Sequence, residues 1–217
     1  MSENVKYPRT SHLPSSPGAT SDDRIISSDG FTRLQACREF VVTEKMDGGN
    51  VTMSRNHFYA RSLDSGTQAW DTYAKALWAS VRFQIPEGFR LSGESLYARR
   101  SVPYSALAGY YLLFGVWNEF DVLADWDTTE FIASALSIPL VPVLYRGSDY
   151  TEAVTVWERT MNPDVSEGFV IRSADSVSVE DFPYLVAKHV RAGHVTTSAD
   201  WRHRDDFAVN LLRQVPS

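Results

Sequence analysis

The sequence predicts an α+β domain in which antiparallel sheets are flanked by helices. Three observations carry that expectation. Short apolar and β-branched runs are bounded by turn residues, one stretch places apolar residues at helical spacing, and strands and helices do not alternate regularly as parallel sheets require.

The elements follow in order. Residues 1–30 are rich in Ser, Pro, Gly and Asp (HLPSSPGATSDD) and read as an irregular arm, leaving 31–217 as the domain. Phe40-Val41-Val42-Thr43 reads as a strand entering a Gly-Gly turn, with Val51-Thr52-Met53-Ser54 returning and Phe58-Tyr59-Ala60-Arg61 as a further short strand. Trp70, Tyr73, Leu77 and Val81 share one helical face, so 69–83 is expected to be an amphipathic helix. Strands are expected at Phe89–Leu96 and Tyr110–Val116, a helix around 127–137, a strand near Leu140–Leu144 and a helix near 151–160. Further strands fall at Gly168–Arg172 and Tyr184–Val190, and 200–213 closes the chain as a helix. No internal repeat divides it.

Composition bounds the function. Hydrophobic residues make up 43% and charged residues 22% of 217, ordinary for a globular chain with a real core. No apolar run approaches the roughly 18 residues of a membrane span, and the N-terminus lacks a secretory apolar region, so a cytoplasmic protein with no membrane partner is expected. The single cysteine, Cys37, excludes an intramolecular disulfide and a cysteine zinc cage. A net charge of −6 argues against tight autonomous grip on nucleic acid, although Arg99-Arg100 and the stretch from Lys188 to Arg204 are locally basic. The five histidines show no ligand spacing, and neither a P-loop, a GxGxxG turn nor a GxSxG elbow occurs.

The informative segment is Glu44-Lys45-Met46-Asp47-Gly48-Gly49-Asn50. Its glycines let the backbone turn tightly and approach a ligand, and a lysine amine becomes a nucleophile when burial or nearby positive charge favours its neutral form. Taken alone, a plain hairpin with a solvated lysine is the simpler reading.

The segment does not stand alone. KMDGGN resembles the KxDGxN nucleophile motif of the covalent nucleotidyltransferases, the superfamily of DNA ligases, RNA ligases and capping enzymes. In the same order, Ala60-Arg61-Ser62 resembles the short motif that follows, Gly93-Glu94-Ser95-Leu96-Tyr97 resembles motif III, and Leu112-Leu113-Phe114-Gly115-Val116 resembles motif IIIa. Glu167-Gly168-Phe169-Val170-Ile171-Arg172 resembles motif IV, and Val186-Ala187-Lys188-His189-Val190-Arg191 lies where motif V falls. Each pattern is weak, but six in fixed order across residues 40–191 reverse the simpler reading. The run GESLYARRSVPYSAL is closest to RNA ligases of the T4 RNA ligase 2 type.

That resemblance implies an ATP-grasp-like nucleotidyltransferase fold and an ATP-dependent polynucleotide ligase of RNA repair. Lys45 would attack the α-phosphate of ATP to form covalent lysine–AMP, with Mg²⁺ or Mn²⁺ present, and RNA 5′-phosphate and 3′-hydroxyl ends, nicked or single-stranded, would then be joined. Lys45, Asp47 and Lys188 are the residues expected in the chemistry. Glu44, Asn50, Arg61, Glu94, Phe114, Glu167 and Lys188 are expected around the nucleotide, with Trp117 the substitute for Phe114 and Glu167 at the metal.

Each position also has a plainer reading: Glu94 and Glu167 as edge-strand glutamates, Phe114 as core, Arg61 as a surface residue. Lys188 is flanked by Val186 and Val190 where many relatives carry a second lysine, which leaves Arg191 as a compensating cation. Only 26 residues follow Arg191, so no OB domain is expected, and sealing would call on an end-processing or RNA-binding partner protein. A GTP-using capping-type transferase, a DNA ligase module and a degenerate domain that only binds nucleic-acid ends are the alternative readings.

Overall fold

The computed structural model describes residues 4–63, 68–162, 165–193 and 208–214. Two twisted sheets face one another across a cleft. The first has five strands in the order β1 (Ser11–His12), β11 (Val186–Val190), β9 (Gly168–Ser173), β2 (Phe40–Glu44), β8 (Val143–Gly147). The second has six, in the order β10 (Val177–Ser178), β7 (Val122–Leu123), β6 (Tyr111–Trp117), β5 (Arg90–Ser95), β3 (Gly49–Ser54), β4 (Phe58–Ala60). Among the described strands the neighbours run antiparallel except β1, which lies parallel to β11 with His12 beside Lys188.

Helices cover the outer faces. α1 (Ser28–Gln35) and α4 (Tyr150–Thr160) belong to the first sheet, where Leu34, Phe40, Val42, Ala153, Trp157, Phe169, Ile171 and Ala187 form one core. α2 (Thr72–Val81) and α3 (Trp126–Ala135) back the second, packing on Val51, Met53, Leu91, Leu113 and Val116. A third cluster, with Val41, Leu96, Leu112, Trp126 and Val141, joins the two sheets below the cleft.

Strand alternation decides what faces the cleft. Phe40 and Val42 of β2 point to the helix side, so Val41, Thr43 and Lys45 point inward. In β9 the same period sends Phe169 and Ile171 outward and Val170 and Arg172 inward, and in β11 it sends Ala187 outward and Val186 and Lys188 inward. In β6 the register slips by one opposite Ser92 and Gly93, leaving Phe114 as the bulged residue. The bulge resets the phase. Leu113 and Val116 keep to the helix side, while Phe114 reaches the cleft.

Several expectations are corrected. Helix 69–83 is α2 with a 3-10 turn at each end, Ala69–Asp71 and Arg82–Gln84. The strand expected from Leu140 begins at Val143, because Leu140 makes only a lone bridge to Leu113 and Pro142 has no N–H to donate. Tyr184 and Leu185 belong to a short helix, α5 (Phe182–Leu185), which Pro183 starts at its first turn. Helix α1, capped by the Ser27 hydroxyl accepting from Gly30 N, was not expected. Of the closing helix expected over 200–213, residues 200–207 lie outside the described residues. Residues 208–213 are extended, because buried Asn210 donates to Leu96 O and accepts from Tyr104 N, which ties the chain along the loop after β5.

Candidate active site

A cavity of about 770 Å³ lies between the sheets. It is lined by Glu44, Lys45, Asn50, Arg61, Glu94, Phe114, Val170, Arg172 and Lys188, among others, so the tertiary structure gathers motifs spread from residue 44 to residue 188.

Lys45 leaves the end of β2 with its backbone N–H donating to Gly168 O at 2.9 Å, and its Nζ donates to Glu167 Oε1 at 2.6 Å. The Lys45 side chain keeps 24% exposure against 7% for Glu167, so an accessible amine is oriented by a carboxylate with little contact with water. Gly168 makes this approach feasible. Its φ is +153°, and a Cβ there would lie 1.9 Å from His189 O on the paired strand.

The loop after Lys45 is held from several sides. Gly48 N donates to Glu94 Oε1 at 3.2 Å, and Asp47 N donates to the Tyr104 hydroxyl at 2.8 Å. Asp47 Oδ2 accepts from Ser101 N at 2.7 Å and Val102 N at 2.9 Å. Neither Asp47 nor Glu167 is in the cavity lining; Asp47 shapes the loop, and Glu167 reaches the site through its bond to Lys45. Removing its carboxylate would strand two amides. Asp47→Ala is expected to lose roughly 2–4 kcal/mol in urea unfolding, with Asp47→Asn, which keeps an acceptor oxygen, recovering most of it.

Burial dominates the electrostatics of the carboxylates around the cavity. Burial pushes Glu44 and Glu94 up to about 7, with the Lys45 charge holding Glu94 back. Burial and then the Lys45 charge lower Lys188. Asn50 Oδ1 is a buried acceptor with no partner, lining the cavity. The oxygen donors that would hold a hydrated divalent metal here are the unsatisfied Asn50 Oδ1 and the Glu167 carboxylate.

Linkage gives a direct check. Glu94 is raised on folding from the ordinary carboxylate value of 4.5, so the folded state keeps a proton that the unfolded chain releases between about pH 4.5 and 7, and stability falls as pH rises through that window. His12 and His189, lowered by burial, act the opposite way as pH climbs towards 6.5. The difference between Glu94→Gln and the parent isolates the carboxyl. Glu94→Gln is expected to gain roughly 1–3 kcal/mol relative to the parent between pH 5 and pH 8, and a constant difference would refute the assignment.

Two expected residues have further roles. Arg61 Nε donates to Tyr7 O at 3.1 Å, so it holds the N-terminal arm as well as lining the cavity. Phe114 meets the Tyr7 ring edge-on at 5.2 Å, and Tyr7 also packs edge-on against Trp117, which joins Leu123, Val177 and Phe182 in a satellite core and is no substitute for Phe114 in the cavity lining. Sequence reading missed Tyr7, Arg9, Asp23 and Arg172 as cavity residues. Arg172 stood within a quoted motif. It is buried, lowered by that burial to about 10, and its Nη1 has no partner.

Two facing sheets, a cleft lysine paired with a buried glutamate, and a second lysine across the cavity define the nucleotidyltransferase class of ligase folds. The RNA ligase family model matches residues 38–190, and the chain belongs to that family. No curated protein matches it in sequence. Among solved structures it is similar to an Aquifex aeolicus protein assigned as an ATP-dependent DNA ligase (15% identity, TM-score 0.58, covering 86% of this chain and 50% of that one). It is likewise similar to an archaeal ATP-dependent RNA ligase (15%, 0.57, 86% and 48%). A third is a Naegleria gruberi RNA ligase variant with ATP and Mn (13%, 0.52, 89% and 62%). At these identities the likeness is one of fold, and the chain spans about half the length of the first two.

Proposed function

We propose that this chain is an ATP-dependent RNA ligase module that forms a covalent lysine–AMP intermediate at Lys45. The observation that carries the reading is the convergence of Lys45, Glu94, Glu167 and Lys188, drawn from four strand ends or strands, around one cleft. A surface hairpin would not need that set.

In the first step Lys45 Nζ, in its neutral form, attacks the α-phosphorus of ATP in line. A P–N bond forms as the P–O bond to pyrophosphate breaks. Mg²⁺ or Mn²⁺, which Glu167 and Asn50 would hold, would supply positive charge to balance the departing pyrophosphate. Phe114 and Val170 wall the base, Glu94 faces the nucleoside with Glu44 at the rim of the pocket beside Lys45, and Lys188 and Arg61 offer donors to phosphate oxygens. The AMP then passes to the 5′-phosphate of an RNA end, and a 3′-hydroxyl attacks that activated phosphate with release of AMP.

The test uses α-labelled ATP with Mg²⁺ or Mn²⁺, followed by denaturing separation and a chase with 5′-phosphorylated nicked RNA. Label retained on the protein and then moved to RNA supports the reading. Label from GTP alone, or transfer only to nicked DNA, would replace it with one of the sister activities, and RNA binding without covalent label would leave an end-binding domain.

A further inference from the structure

The N-terminal segment lies outside the family match of residues 38–190, yet it builds part of the cleft. It spans both sheets. Tyr59 Oη donates to Val5 O and Arg61 Nε to Tyr7 O on the second sheet, while β1 pairs with β11 on the first. Among the described residues the cavity is lined by seven cationic side chains against three acidic ones in a chain of net charge −6, and three of the seven, Lys6, Arg9 and Arg24, come from this segment. A cleft so biased suits an anion.

Asp23 marks where that anion would sit. Its Oδ2 is hydrogen-bonded by Thr20 N and Oγ1 at 3.1 and 3.0 Å, which fixes the carboxylate. Its Oδ1 faces inward, 3.6 Å from Arg9 Nη2, 3.3 Å from His12 Nε2 and 3.8 Å from Lys188 Nζ. One oxygen is thus shared loosely by two cations from opposite ends of the chain and by an imidazole nitrogen that is buried without a hydrogen-bond partner. An oxygen among convergent donors, at distances longer than good charge-assisted bonds, is the arrangement a phosphate oxygen would improve.

We propose that Arg9 is a phosphate-binding residue of this cleft and that the Asp23 carboxylate lies where the phosphate would bind, between Arg9 and Lys188. The inference rests on the proposed ligase reading for its substrate. The phosphate is either the polyphosphate tail of ATP or the 5′-phosphate of the RNA end, and both present the same dianionic oxygens.

Two variants of the full chain test it, Arg9→Gln and Asp23→Asn, with Arg9→Lys as the conservative control. Calorimetric titration with inorganic pyrophosphate reads the subsite whether or not Lys45 reacts, so its outcome is independent of the ligase reading. Arg9→Gln is expected to weaken pyrophosphate binding about 10-fold, Arg9→Lys to recover part of that loss, and Asp23→Asn to tighten it severalfold by removing the competing carboxylate. The ATP concentration for half-maximal labelling, and separately AMP transfer from pre-labelled protein to 5′-phosphorylated RNA, locate the phosphate. A shift confined to the first assigns the ATP tail, and one confined to the second assigns the RNA end. If Arg9→Gln changes none of the three readouts, Arg9 is not a phosphate ligand. If Asp23→Asn binds pyrophosphate equally or more weakly, the place-holding role is overturned.

Discussion

Lys45→Ala is expected to abolish covalent labelling by α-labelled ATP, a loss of at least about 1,000-fold, because no other group can form the same P–N bond in the same geometry. Three lysines, Lys6, Lys45 and Lys188, are among the described residues lining the cavity, and geometry separates the two that stand at the motif positions. Lys45 Nζ is oriented by a 2.6 Å hydrogen bond to Glu167, whereas Lys188 Nζ stands 3.8 Å from its nearest carboxylate, Asp23. Lys188→Ala should therefore keep the label at a rate reduced by roughly 100-fold, as expected for removing one charge-assisted phosphate contact. Covalent label persisting at parental rate in Lys45→Ala, or vanishing in Lys188→Ala while Lys45→Ala still reacts, would move the nucleophile to the other strand. Melting curves for both variants exclude trivial unfolding, since each side chain is partly exposed at the cleft.

Gly168→Ala should be the most damaging small substitution in the site, costing about 4 kcal/mol or more. The added Cβ would lie 1.9 Å from His189 O and 2.9 Å from His189 C, backbone atoms of the paired strand that no side-chain rotation can relieve. The φ of +153° adds strain for any side chain. Relief requires β9 to part from β11 at the Gly168–Val190 pair, which carries Glu167 away from Lys45 and loosens the Lys45 N–H to Gly168 O bond. Urea unfolding reads the loss, and labelling of whatever folds reads the displaced pair. A variant within about 1 kcal/mol of the parent would show that β9 shifts more freely than its register implies. By contrast Gly49, where the nearest neighbour of an added Cβ is the far end of the Arg100 side chain at 3.2 Å, should tolerate alanine far better.

What could be read from the chain differs by element. Strands β2, β3, β5, β6 and β9 were legible within a residue or two because β-branched and aromatic runs end at Gly, Pro or Asp, and α4 was legible from its apolar spacing and the Asp149 cap. Helix α1 was hidden because its sequence, SDGFTRLQ, is polar and short, with the Ser27 cap buried in a run of turn residues. The extended course of 208–213 was hidden for the opposite reason. Its apolar residues suit a helix, and the buried Asn210 amide, satisfied by partners more than 100 residues away, together with backbone bonds to residues 97–107 makes the extended path preferable.

The sequence by itself determined the chemistry on offer: a lysine in a glycine turn and two glutamates and a second lysine on strands, because residue type and local spacing need no neighbours to be read. Only the tertiary structure decided that Asp47 holds the loop from outside the cavity, that Arg61 also holds the N-terminal arm, and that Arg9 and Asp23 stand beside Lys188. Those facts depend on contacts between segments far apart in the chain: the N-terminal segment is held by strand pairing and by its Val5 and Tyr7 carbonyls, which accept from Tyr59 and Arg61, and local spacing does not say which distant side chain a carbonyl will meet.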